Sequence, residues 1–127
     1  MLHSIRHDQR RLIVVGDRVL VRPDTPEDRT QLGLILPQTV VEKEKIQTGR
    51  IVAVGPGIPL PDPIDGAEDE PWKPSERRAR FIPMQAEEGD YVVFLRKAAI
   101  EIKFENEEYL VVPQAGILLL LRDSAER

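Results

Sequence analysis

Short runs in which apolar residues alternate with polar ones dominate the chain, and helical periodicity is scarce. In Arg18-Val19-Leu20-Val21-Arg22-Pro23, Val19 and Val21 share one face, and Pro23 ends the ladder by removing a backbone donor. Residues 12–22 therefore read as one or two short strands. The β-branched run 49–54 is a further strand, closed by the turn Gly55-Pro56-Gly57. Glu88-Gly89-Asp90 turns the chain into Tyr91-Val92-Val93-Phe94-Leu95. Ile100, Ile102 and Phe104 alternate with Glu101 and Lys103, and a tight turn at Asn106-Glu107 returns through Tyr109-Leu110-Val111-Val112, which predicts a hairpin. Pro113-Gln114-Ala115-Gly116 then leads into Ile117-Leu118-Leu119-Leu120-Leu121. Many short strands at regular spacing predict an all-β fold, a small β-barrel forming one domain over residues 1–127.

Two long excursions interrupt this pattern. Residues 24–48 are mostly polar and contain Pro26 and the charged run Glu42-Lys43-Glu44-Lys45, read as a solvated loop with a helical turn as the alternative. Their apolar focus is Leu34-Ile35-Leu36, introduced by Gly33. An exposed aliphatic triplet on a loop implies a partner. The competing reading makes it one more barrel stave; the triplet taken alone favours that reading, although it leaves the length of the polar flanks without a reason. Residues 58–80 are the second excursion, punctuated by Pro59, Pro61, Pro63, Pro71 and Pro74. It carries the acidic cluster Glu68-Asp69-Glu70 and the basic run Arg77-Arg78-Ala79-Arg80, and Trp72 is its candidate anchor. Its composition favours a solvated surface over a packed core.

Composition narrows the chemistry. The hydrophobic content is 41% with only 5% aromatic, and there is no cysteine, which excludes disulfides, thiolate metal sites and cysteine nucleophiles. A net charge of −4 argues against nucleic acid as the main partner. The N-terminus has no uninterrupted apolar core, and the longest aliphatic run is far shorter than the about 20 residues a helix needs to cross a bilayer. A soluble, cytoplasmic protein without membrane contact is expected. His3 and His7 have a spacing able to bind metal on a helix, but a solvated tail is the expectation. Gly55-Pro56-Gly57 lacks the Gly-Lys-Ser/Thr of a phosphate loop. Glu107 and Glu108, adjacent in an extended chain, point to opposite faces and make a poor acid–base pair. No enzymatic activity, cofactor or metal is expected.

The order of blocks carries more than any one of them. Gly16-Asp17-Arg18-Val19 is followed by Gly33-Leu34-Ile35-Leu36-Pro37, then by Gly49-Arg50-Ile51-Val52-Ala53-Val54-Gly55-Pro56-Gly57. After the second excursion come Glu88-Gly89-Asp90-Tyr91-Val92-Val93-Phe94, Glu101-Ile102-Lys103 and Glu107-Glu108-Tyr109-Leu110. In this order the chain resembles the co-chaperonin (GroES) family over about residues 12–122. The resemblance implies a homo-oligomeric, heptameric ring of β-barrels that caps a double-ring chaperonin of the GroEL type, with ATP or ADP bound to the chaperonin, and encloses a folding client. It makes residues 24–48 the mobile loop and places Gly33, Leu34, Ile35 and Leu36 at the chaperonin contact.

It also implies that the first strand of one subunit pairs with the last strand of its neighbour, which implicates Leu12, Ile13, Val14 and Val15 with Ile117, Leu118, Leu119 and Leu120. The alternative is that both strands complete the subunit's own barrel. The chain departs from the family in three places. Leu32 stands where a second glycine is usual before the triplet, Lys97-Ala98-Ala99 replaces an aromatic followed by small residues, and residues 58–80 enlarge the hairpin that roofs the dome. That enlargement supports the second functional reading, a repurposed barrel acting as a scaffold or binding module through residues 58–80.

Overall fold

The computed structural model describes residues 3–7, 9–25, 27, 31–39, 45–61 and 80–123. Among the described residues ten strands follow one another: β1 (Ser4–His7), β2 (Arg10–Ile13), β3 (Arg18–Pro23), β4 (Ile46–Val54), β5 (Ile58–Pro59), β6 (Phe81–Ile82), β7 (Tyr91–Leu95), β8 (Ile100–Phe104), β9 (Glu107–Pro113) and β10 (Ile117–Leu121). Six of them form an antiparallel sheet in the order β10-β7-β4-β3-β9-β8, while β1-β2 and β5-β6 are separate two-stranded pairs. This is the all-β barrel expected from the pattern. Among the described residues no helix is long and apolar enough to cross a membrane.

The central strands bury both faces, which is why their sequences read as near-continuous apolar runs. Val19 and Val21 of β3 join Ile51, Val54, Val92, Phe94, Leu110 and Val112 in the main core, closed from the β6–β7 connection by Met84 and Ala86. Leu20, on the opposite face of β3, packs with Val14, Ala53 and Tyr109 in a second cluster. Ile5 and Leu12 of the β1-β2 pair cover that second cluster. Burying a side chain of this size contributes about 1.5–3 kcal/mol, so both clusters hold the sheet together.

Strand β1 departs from the expected solvated tail. Ser4 pairs with Ile13 and His7 with Arg10, and the His3 ring Nδ1–H donates to the Val54 carbonyl at 2.5 Å. His7 lies edge-on to Phe104 and 3.6 Å from Glu105, so the two histidines serve separate structural contacts rather than one metal site. The β8–β9 hairpin turns one residue earlier than the pattern suggested: Glu105 and Asn106 both have positive φ, as a type I′ turn requires.

The base of the second excursion is ordered as β5 paired with β6, extended by the Leu60 amide donating to the Arg80 carbonyl at 2.9 Å. Trp72 and the charged clusters at 68–70 and 77–79 lie outside the described residues, as does Glu42-Lys43-Glu44.

Candidate partner-binding site

The site begins where the β3–β4 ladder ends. Its last rung pairs Pro23 with Gly49. Gly49 is required by close approach: a Cβ there would lie 2.5 Å from the Arg22 carbonyl oxygen and 2.5 Å from Val21 Cγ1. Pro23 has no N–H to give, and the next backbone contact, Asp24 N to Thr48 O, is long at 3.5 Å.

Side chains close the rung instead. Thr48 Oγ1 donates to Asp24 Oδ1 at 2.6 Å, and the Tyr91 hydroxyl donates to Asp24 Oδ2. Thr48 and Tyr91 are almost fully buried. The Arg50 guanidinium lies over the Tyr91 ring, 5.6 Å from its centroid, and donates to the Gly89 carbonyl at 3.0 Å. Together with Arg22, Pro23, Gln31 and Leu32, the residues Asp24, Arg50 and Tyr91 line an open recess of about 290 Å³.

Gly33 follows Leu32 with φ at +82° and nothing within 4 Å of where a Cβ would stand. The chain turns outward there at no steric cost. Leu34, Ile35 and Leu36 then run outside any strand, Leu34 and Leu36 half-buried and Ile35 86% exposed. The triplet is thus not a stave of the barrel. Glu27, Gln31, Gln38 and Thr39, which flank it, have helical backbone, where a plain loop was expected.

The terminal strands are distributed less simply. Leu12 and Ile13 lie in β2 against β1, Val14 is buried in its own subunit, and Val15 is 61% exposed. Val14 therefore offers no surface to a neighbour, because it belongs to the second apolar cluster. Among the described residues, strand β10 is an edge of the six-stranded sheet and pairs only with β7. Ile117 and Leu120 face the main core, whereas Leu118 and Leu119 are half-exposed, and the ladder register slips between Ile117 and Leu119.

Arg122, just past β10, fastens this edge. Its Nε and Nη2 donate to the two carboxyl oxygens of buried Asp90 at 2.7 and 2.6 Å, and Nη2 also reaches the Gln85 carbonyl. Burial works to raise the Asp90 pKa, but the hydrogen bonds from Arg122 and the Glu87 amide, with the charges of Arg122 and Arg50, outweigh it and hold the carboxyl below its ordinary 3.8. The same bond pushes the Arg122 guanidinium upward.

Sequence reasoning singled out neither the Asp24-Thr48-Tyr91 cluster nor strand β1. An aspartate directly behind a strand-ending proline was the available signal for the first. The described residues contain no group of histidines and carboxylates fit to hold a metal.

The chaperonin 10 kDa subunit family model matches residues 11–64 and 74–121. A co-chaperonin GroES of Coprothermobacter proteolyticus is 35% identical over 107 residues, covering 84% of this chain and 91% of the relative. One from Symbiobacterium thermophilum is 36% identical over 98 residues, 77% of this chain and 82% of the relative. One from Geobacillus kaustophilus is 33% identical over 108 residues, 85% and 97% respectively. With the strand order and the outward triplet already placed, this chain belongs to the chaperonin 10 kDa subunit family, the GroES co-chaperonins, which assist folding and are not enzymes.

Proposed function

We propose that this co-chaperonin caps a double-ring chaperonin of the GroEL type in its ATP- or ADP-bound state and encloses a client protein, docking through Leu34, Ile35 and Leu36. One observation carries the reading: an aliphatic triplet lies outside every strand, follows a glycine at positive φ, and presents Ile35 at 86% exposure. Docking would bury this apolar surface at one point of the partner. Chain ordered on docking costs affinity, so each arm binds weakly, and several arms on one homo-oligomeric ring act together to give tight yet reversible capping.

The ring itself, a heptamer working in the cytoplasm, would form by pairing the free edge of β10 with the β2 segment of a neighbour. The exposed Ile13, Val15, Leu118 and Leu119 support that pairing, since an unpaired apolar edge is an aggregation hazard that ring closure removes.

A second reading, a scaffold or binding module acting through residues 58–80, is favoured by the break in the family match between residues 64 and 74. Co-sedimentation with a double-ring chaperonin, with and without ATP, separates the two. Nucleotide-dependent co-sedimentation that survives deletion of residues 62–79 supports capping. Folded, assembled protein that fails to co-sediment in either condition refutes it.

A further inference from the structure

We propose that Asp24 is a positioning residue that pins the foot of the triplet-bearing segment and so sets how much chain must be ordered when Leu34, Ile35 and Leu36 dock; the docking half of this rests on the capping reading above. The segment leaves the barrel at the end of β3 and returns at the start of β4, and Asp24 ties these two limbs together. Its carboxyl receives Thr48 Oγ1 from the returning limb at 2.6 Å and the Tyr91 hydroxyl from β7. Both donors stand on strands of the six-stranded sheet, at 2% and 1% exposure, so the anchor is rigid.

A side chain is needed here because the backbone cannot do the work. Pro23 donates nothing, and the Asp24 N to Thr48 O contact of 3.5 Å is at the limit of a hydrogen bond. Leu32, half-buried, lines the same recess as Asp24 and Tyr91. The chain is thus brought back against the barrel one residue before Gly33, whose open positive φ lets the triplet swing outward. A segment held at Asp24 has fewer backbone residues left to order on docking, and preorganisation of that kind appears directly as affinity.

Three variants test this: Asp24→Ala, which removes both acceptors; Asp24→Asn, which keeps one; and Tyr91→Phe, which keeps the ring beneath Arg50 and removes one donor. Two quantities are measured, affinity for a double-ring chaperonin with ATP and amide hydrogen exchange of the chaperonin-free protein. For Asp24→Ala, affinity is expected to fall about five- to thirtyfold for each docked arm, the cost of ordering roughly one further residue. Exchange should quicken at residues 24–25 and 31–36 and stay unchanged in β9 and β10, with the other two variants in between.

Wild-type exchange in that segment overturns the clamp. Altered exchange with wild-type affinity overturns its role in docking. Exchange that quickens throughout the barrel would make Asp24 merely structural and also overturns the proposal. If the unsubstituted protein does not bind chaperonin, the capping reading and the docking role fall, while exchange in the free protein still decides the clamp.

Discussion

Leu34-Ile35-Leu36 and Ile117-Leu118-Leu119-Leu120-Leu121 have nearly the same composition and opposite fates. The second run is held in a ladder with β7 and sends Ile117 and Leu120 into the main core. The first pairs with no strand among the described residues and turns Ile35 to solvent. Hydrophobicity does not separate them; their surroundings do. The turn at Gln114-Ala115-Gly116 delivers Ile117 directly opposite Phe94, and Arg122 binds the far end of the strand to Asp90. The triplet is preceded by Gly33 at positive φ and followed by Pro37, so neither side continues an extended ladder. An apolar run becomes core only where its neighbours bring it to a partner strand.

Replacing Leu34, Ile35 and Leu36 together with serine gives the largest expected effect. Chaperonin binding should weaken at least about 100-fold, since each docked aliphatic side chain is worth about 1.5–3 kcal/mol. Stability should move by no more than about 1 kcal/mol, since Ile35 is exposed and Leu34 and Leu36 are only half-buried outside the core. A marked fall in melting temperature would instead place the triplet in the core and erase the contrast with β10.

The next effect falls on the edge strand. Leu118→Lys combined with Leu119→Lys should shift the assembled protein to monomers in sedimentation velocity while far-ultraviolet dichroism keeps its β signature, because each desolvated charge at a strand interface costs several kcal/mol. An unchanged sedimentation coefficient would show that β10 does not meet a neighbour.

The smallest effect sharpens the account of how β10 is fastened. Asp90 has a lowered folded pKa, so its pairing with Arg122 stabilises fully above the ordinary value of 3.8 and is lost as pH falls below it. Arg122→Gln should therefore be less stable than wild type near neutral pH, and the two thermal-melting curves should converge in acid, once Asp90 is protonated in both. Parallel curves at every pH would remove the ion pair from the explanation.

The central strands were legible because each writes its environment into its own residues. Val19, Val21, Ile51, Val54, Val92 and Val112 are β-branched, bounded by glycine, proline or charge, and all belong to the core. Gly33 was singled out through the resemblance of its block to the family, and its positive φ places it in a turn. Strand β1 was not, because Ser4-Ile5-Arg6-His7 has one apolar residue and no alternation, and it becomes a strand only by pairing with β2 over the second apolar cluster. Val14 likewise looked like an edge residue until the fold placed it among Leu20, Ala53 and Tyr109.

By itself the sequence determined the all-β class, most strand positions and the family, and left the aliphatic triplet open between a loop and a barrel stave. The first three follow from local alternation, turn chemistry or the linear order of motifs. The tertiary structure alone decided that β10 is an open edge, that the N-terminal residues form a strand, and that Asp24 meets Thr48 and Tyr91. Those contacts join residues 24 and 67 positions apart for the two Asp24 bonds, and 32 apart for Asp90 with Arg122. A polar residue that finds its partner across such a distance looks no different, along the chain, from one that faces water.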